Sequence, residues 1–449
     1  MPQKKNNSKQ TKVSAERNGD KSQNAYFLSL ELENVRCFGE RQKIDFSDGH
    51  RNWKRWTIIL GNNGTGKTTL LQSLVVMLPL LEKLNKKQFY LPMISELIHS
   101  IVRDPRRNDR QTCELKVKFL PLDKSSPCPE MEWFHSNSHN YCLGWEVSFS
   151  INCFAYGSSR KAGATSLSEQ DKENAYKNLF DETVLLINPE EWLLQADYAS
   201  KRKSEFQKKR EQELKFIKEI LIKILPDVED LRFSETESGR TPKPIVEFRT
   251  HYGWVESRDL SLGYRTSMAW MVDFASRMFD LYPESENPLA EPAVVLIDEI
   301  DLHLHPKWQR ELIDYLTNLF PNTQFIVTTH SPLIVQAAAA RDANIVVCRR
   351  EGDHVVIDQS VEAVKNWRTD QILTSDFFDL PTARPKEIEP FLEERQKILS
   401  KAKLTKKDEM RLTELENEIG FMPVSENLED DKAMDIIRRA AERLQSETK

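Results

Sequence analysis

The apolar run Trp56-Thr57-Ile58-Ile59-Leu60 passes without a spacer into Gly61-Asn62-Asn63-Gly64-Thr65-Gly66-Lys67-Thr68, and Leu70, Leu71, Leu74 and Val75 follow at helical spacing. A buried strand, a glycine-rich turn and a helix in that order confine the chain to an α/β fold with an anion site at a helix N-terminus. Glycines let backbone N–H groups close around phosphate oxygens, and Lys67 adds a positive charge for the outer phosphates. The Thr68 hydroxyl stands where it can ligate Mg²⁺. The expected contacts to a nucleoside triphosphate are therefore Asn62, Asn63, Gly64, Thr65, Gly66, Lys67, Thr68 and Thr69.

A second segment narrows the chemistry. Val294-Val295-Leu296-Ile297-Asp298-Glu299 reads as a fully buried parallel strand with two carboxylates at its carboxyl end, the edge where open α/β sheets place their sites. Asp298 is expected in the Mg²⁺ shell, and Glu299 is expected to orient the attacking water. Between the two lies Leu260-Ser261-Leu262-Gly263-Tyr264-Arg265, ahead of an apolar helix over 266–278, and this segment resembles the ABC signature motif, with Leu262 in place of the usual central glycine. Ser261 and Gly263 at a helix N-terminus make an anion site. The resemblance implies that this site meets ATP bound by a second subunit. Gln324 to Pro332 gives another buried strand, and His330 at its end resembles the ABC switch histidine. Asp301 occupies the place of the D-loop. His303 and His305 lack a companion ligand cluster and read as loop structure.

The N-terminal segment Asn34-Val35-Arg36-Cys37-Phe38 is similar to that of SMC, RecF and OLD-type ATPases, which makes Arg36 a candidate nucleotide contact. Tyr156-Gly157-Ser158-Ser159-Arg160 resembles a pattern of stand-alone bacterial ATPases of the OLD and defence-associated groups. Arg160 reads as a phosphate contact, as a link between the helical lobe and the nucleotide, or as a surface loop arginine. No glutamine is identified as the Q-loop residue.

A hydrophobic content of 39% with 30% charged residues describes an ordinary globular chain, and no apolar stretch reaches a membrane span. Six cysteines without a zinc spacing favour a reducing, cytoplasmic setting. A net charge of −6 gives no global attraction to nucleic acid, so such contact would need a local basic patch or the wider complex. Residues 1–25 read as a disordered basic arm, either a plain solvated tail or a nucleic-acid tail. An ATPase domain over 26–360 is expected, with a β-rich and helical insertion at about 80–230 and a helical C-terminal lobe over 361–449. A hairpin is expected around Gly39, strands over 113–120 and 145–154, and a helix over 190–226 projecting about 50 Å. Another hairpin is expected around Glu351-Gly352-Asp353. Helices are expected near 361–373, across 386–420 with a break at Leu404-Thr405, and over 430–444, the last docking on its own lobe or on a partner. His135 and His139 read as loop histidines.

Taken jointly, the motifs resemble the PtuA-type ATPases of Septu and retron-associated anti-phage systems. That resemblance implies an ABC-type P-loop head with a mixed sheet flanked by helices, ATP and Mg²⁺ as cofactors, a homo-oligomer, and a separate HNH-type nuclease subunit governed by nucleotide state. The tail lacks the alternating pattern of the Toprim nuclease that OLD proteins carry, so no nuclease centre is expected in this chain. A RecF or SMC-like ATPase acting directly on DNA is the competing reading, and a transporter nucleotide-binding subunit is a third.

Overall fold

The computed structural model describes residues 23–50, 52–84, 87–92, 113–122, 128–136, 139–143, 149–163, 175–236, 242–359, 366–378, 380, 385–399, 401 and 405–419. They form two compact units that divide between Ile372 and Leu373.

In the first unit, β1 (Gln23–Glu33) pairs antiparallel with β2 (Gln42–Asp45), with Leu30 opposite Ile44. This is the hairpin expected around Gly39, but its first strand takes in residues 23–25 of the expected arm. The rest of the arm, 1–22, lies outside the described residues. β3 (Trp56–Gly61) leads into α1 (Lys67–Val76) as the glycine-rich motif requires. Then come β4 (Pro79–Leu84), β5 (Lys87–Pro92), β6 (Cys113–Pro121), β7 (Glu130–Ser136), β8 (His139–Leu143), β9 (Phe149–Ser150) and β10 (Cys153–Tyr156). His135 and His139 stand in strands rather than in a loop. The reason is the alternation of Met131 and Trp133, both buried, with half-buried neighbours, which gives β7 an inward face.

The region expected as one projecting helix is two, α2 (Pro189–Lys201) and α3 (Gln207–Ile224), packed on each other. Residues 202–206 break the run, so the expected reach of about 50 Å is not attained by a single element. A three-stranded sheet follows, β11 (Asp230–Glu235), β12 (Pro244–Thr250) and β13 (Gly253–Glu256). α4 (Leu262–Leu281) is buried over most of its circumference, from Ser267 to Phe279. β14 (Ala293–Ile297), α5 (Pro306–Leu319), β15 (Thr323–Thr328), α6 (Pro332–Ala339), β16 (Asn344–Glu351) and β17 (His354–Asp358) complete the head.

Two six-stranded sheets organise these elements. One runs β2-β1-β6-β7-β8, with β9 also pairing β1; the other runs β10-β14-β15-β3-β16-β17. In the second sheet every neighbouring pair is parallel except the terminal hairpin β16–β17. Its central strands β14 and β15 are buried at every position, which is why they read as unbroken apolar runs instead of alternating ones. α1 lies in the core shared by the sheets, where Leu70, Leu71 and Leu74 join Phe27, Leu30 and Ile44 of one and Val294, Leu296 and Ile326 of the other. The sheets are also joined by a polar clasp. The buried Gln324 side chain donates to the Phe27 carbonyl and accepts from the Phe27 N–H, each at 2.9 Å.

The segment after β17 stays with the head longer than the expected boundary at 360, because Gln336 donates to the Trp367 carbonyl at 2.8 Å and Ile372 is fully buried. α7 (Thr369–Leu373) ends that stretch. The second unit contains α8 (Glu389–Leu399) and α9 (Lys406–Ile419), separated near the expected break and packed through Ile398, Leu415 and Ile419. The helix expected over 430–444 lies outside the described residues.

Candidate functional site

Because β3, β15 and β14 are adjacent and parallel, their carboxyl ends deliver the glycine-rich loop, the His330 loop and the Asp298-Glu299 pair to one edge. The loop is held open by its own backbone. Gly61, Gly64 and Gly66 have positive φ, and the Thr65 hydroxyl donates to the Asn62 carbonyl at 2.8 Å. Asn62, Asn63 and Gly64 are exposed, whereas Thr65, Lys67 and Thr69 are buried. Lys67 turns back on the loop, and its Nζ donates to the Gly61 and Asn62 carbonyls at 2.8 and 3.0 Å. Burial pushes its ammonium pKa down, while Asp298 foremost draws it up.

Gly66 has φ +80°, and a Cβ there would stand 2.4 Å from Cys37 Sγ and 2.7 Å from the Phe38 ring. The turn that carries Arg36 therefore abuts the phosphate loop. Arg36 itself is exposed, with φ +46°. Gly66→Ala is expected to lower stability by about 1–3 kcal/mol and to weaken nucleotide binding, measured by denaturant titration and by calorimetry.

The Thr68 hydroxyl donates to Asp298 Oδ2 at 2.6 Å, and the buried Thr328 hydroxyl donates to Asp298 Oδ1 at 2.6 Å. The pair expected to share a metal ion is thus already in contact, with hard oxygen donors of the kind Mg²⁺ takes. Glu299 follows with φ +51°, its N–H donating to Thr328 Oγ1 at 2.7 Å and its carbonyl accepting from Arg160 Nη2 at 2.8 Å. Asp301 accepts from the Thr329 hydroxyl and from the His330 N–H, the latter at 3.3 Å. It braces the His330 loop of its own chain, and His330 is exposed at that edge. Among the described residues no cluster of three metal-binding side chains occurs, and His305 instead caps α5 through the Lys307 N–H.

Arg160 is buried rather than on a surface loop, at 2% exposure. The segment carrying it leaves β10 beside β14, where the Asp298 N–H donates to the Tyr156 carbonyl at 2.8 Å. Two side chains that sequence reading passed over lock this segment. The Tyr156 hydroxyl donates to Asp273 at 2.9 Å, and Asp273 also receives Arg277 Nε at 2.7 Å. Their signal was an Asp–Arg pair at i, i+4 inside an otherwise apolar helix, where a buried charge needs a partner. Asn178 accepts from the Gly157 N–H at 2.9 Å and completes the support.

Ser261 is the N-cap of α4, accepting from the Tyr264 N–H at 3.5 Å, and is exposed beside the half-exposed Leu262. Gly263 packs on the turn after Glu299, since a Cβ there would lie 2.2 Å from the His303 carbonyl oxygen. The segment over 260–265 and the turn that carries Asp301 therefore touch, and Ser261 is exposed.

A family model described as "AAA domain, putative AbiEii toxin, Type IV TA system" matches residues 154–336, and one described as "AAA domain" matches residues 29–229. The chain is 26% identical over 386 residues to "Retron Vc95 probable ATPase" of Vibrio cholerae serotype O1 biovar El Tor, covering 71% of this chain and 73% of that protein. It is 27% identical over 371 residues to "Septu protein PtuA" of Bacillus mycoides (strain KBAB4), covering 80% of this chain but only 46% of the relative. A shorter match, 40% identical over 166 residues, is to "Retron Ec83 probable ATPase" of Escherichia coli, covering 33% of this chain and 30% of the relative. Among solved structures, the SMC head bound to the C-winged helix domain of ScpA is 16% identical, with a TM-score of 0.44 over 74% of this chain and 97% of that one.

Proposed function

We propose that this chain is a P-loop ATPase, similar in its motifs to OLD, RecF and SMC-like proteins, and that it is the ATP-hydrolysing regulatory subunit of a prokaryotic anti-phage defence complex. The observation that carries the ATPase reading is the 2.6 Å bond from Thr68 to Asp298, which unites the glycine-rich loop with the carboxylate strand across 230 residues of sequence. The phosphates would be held by the loop N–H groups, Lys67 and the α1 N-terminus. Mg²⁺, with Thr68 and Asp298 as its protein ligands, would neutralise charge on the outer phosphates. Glu299 orients and polarises the attacking water, and His330 lies on the adjacent loop for the terminal phosphate.

Each composite site would pair the loop of one protomer with Ser261 and the α4 N-terminus of another. ATP drives this association because it binds the paired state better than the open one, the condition any ligand must meet to shift an equilibrium. Hydrolysis reverses it. The change would then be relayed to a separate nuclease subunit of HNH type, as the resemblance of the motifs to PtuA-type ATPases implies.

Mixing two inactive variants tests the shared site. Lys67→Ala disables the loop, and Ser261→Arg disables the signature face. In a mixed pair one site carries both lesions and the other carries neither. ATP turnover is expected to return to roughly a quarter of the wild-type rate, since half of the random pairs hold one intact site of two. Absence of any recovery, with mixed pairs verified by affinity tags, overturns the shared site. Co-expression with the product of the adjacent open reading frame, followed by purification through either chain, tests the partner.

A further inference from the structure

We propose that Arg160 is a positioning residue for Glu299, clamping its main-chain carbonyl so that the carboxylate meets the attacking water in one fixed place. This rests on the reading of Glu299 given above. The clamp is the 2.8 Å bond from Arg160 Nη2 to the Glu299 carbonyl, and it opposes the 2.7 Å bond that Thr328 Oγ1 accepts from the Glu299 N–H. Held from both sides, Glu299 keeps a left-handed φ of +51°, a conformation that an ordinary residue adopts only when its surroundings impose it.

Two further observations separate Arg160 from an ordinary core residue. First, its Nε and Nη1 are buried without a hydrogen-bond partner, although the residue is 2% exposed. An arginine present for stability would satisfy its whole fork, because open buried donors forfeit their hydration without return. Second, it is a guanidinium buried close to three carboxylates: burial pulls its pKa down, while Asp298, Asp301 and Glu299 hold it up. A cation placed there, at a cost to folding, is explained by what it does to the carboxylate turn.

The segment behind it is rigid enough to make the clamp precise. Tyr156 is fixed by Asp273, Gly157 by Asn178, and the Ser159 hydroxyl by the Glu182 carbonyl at 3.0 Å. Gly157 also permits a close approach, since a Cβ there would stand 2.5 Å from the Asn178 carbonyl oxygen.

The test compares Arg160→Met, Arg160→Lys, Glu299→Gln and the double variant Arg160→Met/Glu299→Gln in the full chain. Arg160→Met is expected to leave the melting temperature within a few degrees of wild type, since loss of the bond to the Glu299 carbonyl is offset by removal of two buried donors that have no partner. It should bind ATP within about threefold of wild type while kcat falls by about 30–100-fold, the scale of a misplaced reacting group. Arg160→Lys should recover part of that loss. In the Glu299→Gln background the Met substitution should cost less than about threefold more, because a residue acting through Glu299 has nothing left to position.

Fully multiplying losses, an unchanged kcat in Arg160→Met, or a fall in kcat that only follows a fall in melting temperature would each overturn the proposal. So would failure of both Arg160 variants to fold. Failure of the premise looks different. Glu299→Gln would then turn over ATP at the wild-type rate, whereas an inactive Glu299→Gln beside a fully active Arg160→Met removes the clamp alone.

Discussion

Glu299→Gln is expected to cut ATP turnover by about 10²–10⁴-fold, the usual contribution of a positioned acid–base group, while leaving ATP affinity within a few-fold of wild type. Glutamine keeps the size of the side chain and both main-chain bonds, to Thr328 and from Arg160, so the turn after β14 should not move. What is lost is the carboxylate's capacity to polarise water. With binding intact and hydrolysis blocked, the ATP-favoured association has no exit, and a stable multimer should accumulate with ATP and Mg²⁺ but not with ADP. Phosphate release in steady state and light scattering after size exclusion measure the two effects. Wild-type turnover by the glutamine variant would remove Glu299 from the mechanism.

The second large effect belongs to Lys67→Ala, which should weaken ATP binding by at least about 100-fold. The ammonium donates to the Gly61 and Asn62 carbonyls. Those bonds keep a buried cation satisfied inside the loop that the motif assigns to phosphate. Alanine removes the charge and leaves an anion site made only of N–H groups and the α1 dipole, worth far less against a triphosphate. Folding should survive, because the loop carbonyls lie at an accessible edge where water can replace the amine. Isothermal titration with ATP checks the affinity and a thermal melt checks the fold; an affinity within threefold of wild type would refute the role.

Much of this site was legible in the linear sequence. Trp56 to Val76 announced strand, loop and helix, and the apolar run before Asp298 announced a buried parallel strand. The hairpin around Gly352 and the break between α8 and α9 were equally plain. Other elements were hidden for identifiable reasons. β7 carries two glutamates and a serine, which mask the inward alternation of Met131 and Trp133. β11 and β13 are short and flanked by charge, so they offer little apolar periodicity. α2 and α3 read as one helix because Lys201, Arg202, Lys203 and Ser204 are compatible with a continuous solvated face, and the break is seen only once the two helices pack.

Local chemistry determined the rest of what could be read. Glycines at 61, 64 and 66 dictate a loop that no side chain obstructs, and unbroken apolar strands dictate a sheet covered on both faces. These are preferences of neighbouring residues, and they need no knowledge of the fold. Tertiary structure alone decided which distant groups meet. Thr68 reaches Asp298, and Arg160 is sealed against Glu299 across 139 residues, because β15 takes its place between β3 and β14 while β10 takes the edge beside β14. Strand order is set by which faces can be buried together, a property of the assembled core, and no spacing along the chain encodes it.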